Sequence, residues 1–99
     1  MATPVCIATW PFGRLAAMTA SKLLLAGKPA LEAALAGAQA VEDDPSVNSV
    51  GYGGLPDRDG VVSLDACVMD GRTLSFGAVA ALERIGNPAA VAKLVMEKT

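Results

Sequence analysis

Apolar residues in the first half of the chain follow two different spacings. The run Val5–Thr9 is almost continuously apolar and biased toward β-branched side chains, which predicts a strand buried on both faces. Arg14–Ala26 carries only a thin polar stripe, which predicts a helix covered almost all round. Gly27 follows at the position of a helix C-cap, and a second helix is predicted from Pro29 to about Glu42.

The second half of the chain changes to the two-residue period of a strand. From Val62 to Met69 every second side chain is small or aliphatic, which predicts a strand with one apolar face. Asp70-Gly71 is typical of a two-residue hairpin turn, so the segment from Arg72 to about Leu82 is predicted to return antiparallel. Asn87-Pro88 predicts the start of a last helix, with proline in its first turn.

The predicted elements follow one another in the order β-α-α-β-β-β-α, which indicates an α/β (α+β) protein containing an antiparallel hairpin. A chain of 99 residues has room for one hydrophobic core, and we interpret residues 1–99 as a single partial domain. Hydrophobic residues make up 53% and charged residues 18% of it, whereas an ordinary domain has about 25% charged residues. We therefore expect other polypeptide to cover several of its faces.

Charge and composition argue against several functional classes. The net charge is −2 and the basic residues are scattered, so the electrostatic footprint of nucleic-acid binding is missing. No apolar run approaches the roughly 20 residues of a membrane span, and Met1–Pro4 lacks the positive region of a signal peptide, which leaves the compartment open. The chain contains no histidine, so we expect no Ser-His-Asp chemistry, no metal site and no cofactor within it.

The two cysteines, Cys6 and Cys67, lie far apart in apolar runs. Buried free thiols are the favoured interpretation, and a disulfide is the alternative.

Nucleotide binding is not supported by the glycine pattern. The turn TWPFGR after the first predicted strand lacks the three glycines that let a pyrophosphate approach the backbone. There is no GxxxxGK[ST] motif, and the later GYGG is not followed by a predicted helix.

Two of the four aromatic side chains, Trp10 and Phe12, flank Pro11 directly after the first predicted strand. A tryptophan in such a position is more often part of a core than of a ligand site, yet loops at strand ends are where α/β proteins place their ligands. Both interpretations stay open on the residues alone. Ser49 precedes a glycine-rich turn, which its hydroxyl is placed to cap, and the glycines there permit close approach of a backbone or a ligand.

Acidic residues stand out at two places. Glu42, Asp43 and Asp44 end the second predicted helix, where negative charge opposes the helix dipole. A solvated acidic end is favoured there over a docking site for a basic partner. Asp65 lies within the apolar pattern of the predicted strand, and structural pairing of its carboxylate is favoured over catalysis.

Six motifs together resemble a known family. In order they are TWPF, VEDDP, SVGYGG with PDRDG, LDACVMDG, GAVAALERIGNP and VAKLVMEKT. In this order and spacing they resemble the N-terminal segment of the glycosylasparaginases, which are N-terminal-nucleophile amidohydrolases. The isoaspartyl peptidases and plant-type asparaginases share LDACVMDG and the NP segment, but they typically open with an IHGGAG-like motif and carry FNAGxG at the glycine loop. The opening ATWPF and the glycine loop NSVGYGG therefore favour the glycosylasparaginases.

The resemblance implies the N-terminal portion of an αββα sandwich, made as a precursor that cuts itself. Self-cleavage frees a threonine, whose hydroxyl attacks the side-chain amide of a glycosylated asparagine while its own α-amine acts as the base. That threonine lies beyond Thr99, so this chain is expected to be inactive by itself. By resemblance Trp10 lines the substrate pocket, Phe12 lies nearby and Ser49 is close to the active centre.

The resemblance also implies partners. They are a C-terminal remainder (the β subunit) that carries the nucleophile, and a small substrate of the aspartylglucosamine type; the complete enzyme is expected to be a dimer of heterodimers. The alternatives are a segment of an isoaspartyl peptidase or plant-type asparaginase, and a non-catalytic degenerate fragment.

Overall fold

The computed structural model describes residues 3–99 and contains, within them, three α-helices and one pair of antiparallel strands. In chain order they are α1 (Gly13–Leu25), α2 (Ala30–Glu42), β1 (Ser63–Asp70), β2 (Ser75–Glu83) and α3 (Pro88–Lys98), with a short 3-10 turn at Gly51–Gly53 before β1. The mixed helix and strand class predicted from the sequence is confirmed.

The predicted order of elements is wrong at its beginning and before β1. Residues 5–9 form no strand, and no strand lies between α2 and β1 in the described part of the chain. Val5 and Ile7 are 75% and 87% exposed, so the apolar run that predicts a strand buried on both faces is largely uncovered. A strand forms only when a neighbouring strand takes its backbone hydrogen bonds, and residues 3–99 supply none to this segment.

Helices α1 and α2 form a close antiparallel pair. The chain leaves α1 through Gly27 at φ +83, and the N–H groups of Gly27 and Lys28 donate to the carbonyls of Leu24 and Leu23, both at 3.0 Å. This is the Schellman arrangement, which confirms the predicted role of Gly27 in ending the helix. Gly37 of α2 lies so near α1 that an added Cβ would stand 2.6 Å from the carbonyl oxygen of Ala16.

The hairpin between β1 and β2 has a longer loop than the sequence predicts. Asp70 pairs with Ser75, so four residues, Gly71–Leu74, make the turn instead of two. The carboxylate of Asp70 accepts a hydrogen bond from the N–H of Arg72 at 3.0 Å, and Leu74 closes the loop at φ +63 by donating to the carbonyl of Asp70 at 2.7 Å. An aspartate that bonds the backbone two residues ahead competes with the tighter turn.

One face of the hairpin is covered by α3. Gly77 of β2 is buried directly against the carbonyl of Ala92 and the backbone of Met96, so the strand and the helix approach where no side chain intervenes. Gly77 pairs with Val68, and in β1 half-buried residues alternate with exposed ones, as the sequence predicts.

The opposite face of the hairpin is open, and it is apolar near the loop. Met69 and Phe76 are direct cross-strand partners on it and are 56% and 68% exposed. The described residues thus leave an apolar surface exposed, as expected from the high hydrophobic and low charged content of the chain.

The core is built from small side chains, and the molecule is a slab whose principal extents are 51 × 32 × 17 Å. The buried apolar residues are Ala20, Ala33, Val41, Val47, Ala89 and Ala92. Both cysteines are free thiols, but Cys67 is exposed and Cys6 is half-buried, so the predicted burial of these two side chains is wrong. Of the helices described, none combines the length and the apolar character needed to cross a membrane.

Candidate functional site

A cavity of about 650 Å³ lies where the N-terminal segment, α2, the glycine-rich loop and the start of β1 meet. Residues 7–9 and 12–13 form one side, and residues 49–51 with 63–65 form another. The end of α2 and Pro88, the first residue of α3, close it. Five parts of the chain therefore contribute to one concave surface, which is the usual form of a small-molecule site.

Two of the three site residues predicted from the sequence lie on this cavity. Phe12 and Ser49 are both in its wall. Phe12 is brought there by a turn in which the N–H of Gly13 donates to the carbonyl of Trp10 at 2.9 Å. Gly13, at the start of α1, is buried against Ala8, which keeps the N-terminal segment close to the helix.

Trp10 is placed differently. It is 73% exposed and is not among the residues that line the cavity. Its backbone is left-handed, with φ +67, which turns the chain sharply before α1. In the described part of the chain, Trp10 does not fill the core, which was the other interpretation of its position.

The glycine-rich loop brings Ser49 to the cavity by close backbone packing. Gly51 has φ +64, and a side chain on it would collide with the backbone of Glu42. Gly53 lies against the carbonyl of Pro45, where an added Cβ would approach to 2.6 Å. The loop glycines therefore permit the backbone contacts predicted for them. The hydroxyl of Ser49, however, makes no capping bond to the 3-10 turn, so that part of the prediction is wrong.

The cavity wall carries two carboxylates, and one of them, Glu42, is buried with only 5% of its surface exposed. Its Oε2 accepts a hydrogen bond from the backbone N–H of Ala89 at 3.1 Å, and its Oε1 accepts one from Nδ2 of Asn87 at 3.4 Å. The solvated acidic end predicted for α2 is therefore wrong for Glu42. Burial raises the pKa of Glu42 above its ordinary value, against the lowering effect of the bonds from Ala89 and Asn87, and the charge of Asp43 adds to the rise.

Glu42 also explains how α3 begins. Asn87 is the N-cap residue, as predicted, but its side chain makes no capping bond to its own helix. Its Nδ2 donates instead to Oδ1 of Asp43 at 2.7 Å. The carboxylate of Glu42 takes over the capping role, because it binds the free N–H of Ala89 in the first turn, where the dipole of α3 favours negative charge.

Sequence reasoning did not single out Glu42 as a site residue. The signal in the sequence is the position of Glu42 at the end of a helix. A negative charge there is unfavourable unless a hydrogen-bond donor or a positive charge binds it.

The second carboxylate of the wall, Asp65, serves the sheet. Leu64 pairs with Leu82 and Ala66 with Val79, so two residues of β2 face the single Asp65. The carboxylate of Asp65 accepts a hydrogen bond from the backbone N–H of Ala81, a residue of the bulge, at 2.8 Å. The structural pairing favoured for Asp65 is confirmed, and the partner is a backbone N–H.

Within residues 3–99 no three histidine, cysteine, aspartate or glutamate side chains come together as a metal site. No lysine or arginine is found among the residues that line the cavity.

Comparison with known proteins identifies the family. The family model Asparaginase_2, described as asparaginase, matches residues 9–99. An N(4)-(beta-N-acetylglucosaminyl)-L-asparaginase of Elizabethkingia miricola is 53% identical over 96 residues, which are 97% of this chain and 28% of that protein. The mouse protein of the same name is 42% identical over 96 residues, again 97% of this chain and 28% of the relative.

A second kind of relative is also similar. An isoaspartyl peptidase/L-asparaginase of Rattus norvegicus is 44% identical over 84 residues, which are 85% of this chain and 25% of that protein. The chain thus spans between 25% and 28% of the length of these curated relatives. Because the family model covers all but the first eight residues, this chain belongs to the asparaginase family.

Proposed function

We propose that this chain forms one wall of the substrate pocket of a glycosylasparaginase-type amidohydrolase. The reaction is hydrolysis of the side-chain amide that joins an asparagine to a sugar amine. A threonine freed by self-cleavage, carried by a C-terminal remainder outside these residues, attacks the amide carbon through its hydroxyl oxygen and passes its proton to its own α-amine. The sugar amine leaves with a proton, and water then hydrolyses the ester to release aspartate.

The observation that carries this proposal is the meeting of Phe12 and Ser49 on one cavity. These residues lie in different segments and come together only through the packing of the glycine-rich loop against α2. The aromatic ring gives the wall an apolar surface and the hydroxyl gives it a hydrogen-bonding group, which together suit a small polar amide. The 53% identity to the Elizabethkingia protein supports the choice of this family member.

The charge of the cavity wall supports the proposal that a C-terminal remainder completes the substrate pocket. Its wall carries the carboxylates of Glu42 and Asp65 and no lysine or arginine among the described residues. An asparagine-type substrate carries an α-carboxylate, which needs a cationic or strongly donating partner. We therefore assign that partner, like the nucleophile, to polypeptide outside residues 3–99.

A chimaera tests the proposal. The segment of the Elizabethkingia protein that matches this chain is replaced by the chain, and the product is assayed for self-cleavage on gels and for hydrolysis of aspartylglucosamine and of β-aspartyl dipeptides. We expect self-cleavage and hydrolysis of aspartylglucosamine. A Ser49→Ala chimaera is the matched variant and is expected to lose most of that turnover.

The other outcomes separate the alternatives. Turnover of β-aspartyl dipeptides without turnover of aspartylglucosamine would assign the chain to the isoaspartyl peptidase type. The rat relative carries that name. A chimaera that folds and cleaves itself, yet hydrolyses neither substrate, would favour the degenerate, non-catalytic fragment.

A further inference from the structure

The buried carboxylate of Glu42 stands at a junction of three parts of the molecule. Its backbone ends α2, and its side chain caps α3 through the N–H of Ala89, 47 residues further along the chain. Its backbone is also the surface against which Gly51 packs without room for a Cβ. Ser49 lies only two positions before Gly51 in the chain.

The same junction borders the cavity. Glu42, Ser49, Gly51 and Pro88 all line it, so the three parts that meet at Glu42 are also three parts of its wall. Three hydrogen bonds hold the junction: the carboxylate of Glu42 accepts one from the N–H of Ala89 at 3.1 Å, and Nδ2 of Asn87 donates to Glu42 at 3.4 Å and to Asp43 at 2.7 Å. A displacement of α3 from the end of α2 would therefore be transmitted to the loop that carries Ser49.

We propose that Glu42 is a positioning residue of the substrate pocket, which fastens α3 to the end of α2 and so keeps the Ser49 loop at the cavity. The inference rests on the proposed function, because it assigns Glu42 a part in binding the same substrate. Glu42 acts through Ser49 and the loop backbone and does not itself contact the reacting atoms.

Steady-state kinetics of the full-length protein that carries this chain, with aspartylglucosamine as substrate, test the role of Glu42. Glu42→Ala is expected to raise KM about tenfold with a much smaller change in kcat, which is the size expected from loss of one hydrogen bond to a charged group. Glu42→Gln keeps the shape and one acceptor oxygen, so it should restore KM to within about threefold of the wild-type value. Glu32→Ala is the matched control, because Glu32 is an exposed acid of the same helix and does not line the cavity.

A second variant decides the question if Glu42→Ala does not fold or does not cleave itself. Asn87→Asp keeps a good N-cap residue but places a third carboxylate beside Glu42 and Asp43, which should push Glu42 away from α3. We expect its KM to rise at least about threefold at neutral pH while self-cleavage continues.

Failure of the proposed function and failure of the positioning role of Glu42 give different experimental results. If the wild-type protein cleaves itself but hydrolyses no aspartylglucosamine, the proposed function fails. If the wild type is active and the KM values of Glu42→Ala and Asn87→Asp equal its own, the positioning role alone is wrong. An equal rise of KM in Glu42→Ala and Glu42→Gln would also overturn it, because the retained acceptor would then have no effect.

Discussion

The carboxylate of Glu42, the last residue of α2, accepts a hydrogen bond from the backbone N–H of Ala89 in the first turn of α3 at 3.1 Å. A negative charge is unfavourable at the C-terminal end of α2, but the N-terminal end of α3 stabilises it. The neighbouring donor positions of α3 are also satisfied, since Pro88 has no N–H and Ala90 donates to the carbonyl of Asn87 at 3.2 Å. This relationship joins the two halves of the molecule at the wall of the cavity.

The pH dependence of stability should reveal the buried state of Glu42. Because burial raises its pKa above the ordinary value of 4.5, the folded protein holds this proton more tightly than the unfolded chain does. The resulting stabilisation is fully present below about pH 4.5 and is lost as the pH rises through the raised pKa. The thermal midpoint of the wild type should therefore fall relative to that of Glu42→Gln as the pH rises above this value.

Asp44 provides the control of opposite sign. The hydroxyl of Ser46 donates to Oδ1 of Asp44 at 2.7 Å and its N–H donates to the same atom at 3.0 Å, and these bonds lower the pKa of Asp44. Its contribution is present above the unfolded value of 3.8 and is lost as the pH falls. Asp44→Asn should thus show no growing advantage over the wild type at higher pH, and the same advantage in both variants would contradict the assignment to Glu42.

Gly51→Ala should be strongly destabilising. Gly51 combines φ +64 with packing so close to the backbone of Glu42 that an added Cβ would collide with it, so alanine would suffer both backbone strain and a collision. The two costs together amount to about 2–5 kcal/mol. Differential scanning fluorimetry of purified variants measures the effect. Gly60→Ala is the matched control, because Gly60 has φ +80 but open space around it and should lose only about 1–2 kcal/mol. Equal losses in both would show that the Glu42 contact is unimportant.

Replacement of Asp65 should loosen the hairpin locally. Asp65→Ala removes the acceptor at 2.8 Å from the N–H of Ala81 and should lower the free energy of unfolding by about 1–3 kcal/mol. Asp65→Asn keeps an acceptor oxygen and should lose less than half of that amount. Urea unfolding measures the free energies, and amide hydrogen exchange at Ala81 should be faster in Asp65→Ala. Unchanged exchange there would argue against the bulge contact.

Trp10→Ala should affect turnover without affecting stability. Trp10 is 73% exposed, so its removal empties no core, whereas the resemblance assigns it to the substrate pocket. We expect KM to rise or kcat to fall about tenfold in the full-length protein, with self-cleavage and the thermal midpoint unchanged. Tyr52→Ala is a control of equal exposure, 73%, at an aromatic residue that the resemblance does not assign to the pocket. If both variants match the wild type in kinetics, Trp10 has no role in the pocket.

The open face of the hairpin should make the 99-residue chain self-associate. Met69 and Phe76 form an exposed apolar cross-strand pair, and such a surface favours association through burial of apolar area. Light scattering coupled to size exclusion should show oligomers that diminish in the double variant Met69→Thr, Phe76→Thr. Leu55→Thr, a change at an exposed apolar residue outside the hairpin, should have no such effect. A monomeric wild-type chain would contradict this expectation.

The helices and β1 were predicted to within a few residues because their signals are local. Each signal lies within one short segment of the chain. The signals are the periodic pattern of Arg14–Ala26, the alternation from Val62 to Met69 and the Asn87-Pro88 pair. The hairpin loop was predicted too short because Asp70 bonds Arg72 and so selects a four-residue turn. The strand predicted at Val5–Thr9 is absent for a different reason, since a strand depends on a neighbouring strand and none within residues 3–99 pairs with this segment.

Of the candidate site, the motif resemblance indicated Phe12 and Ser49, and both lie on the cavity. The local pattern predicts a solvated acid at Glu42, because its partner Ala89 is 47 residues away and no local pattern indicates a contact over that separation. The same limit applies to Asp65, whose bond to Ala81 exists only because β2 bulges opposite it.

By itself, the sequence determined the family, the three helices and the alternating faces of β1, since each of these follows from residue identity at short separations. Only the tertiary structure decided which carboxylate is buried, where Trp10 lies and which segments share the cavity wall. These properties depend on hydrogen bonds and close backbone contacts between residues far apart in the chain, and they arise only when the folded elements pack together.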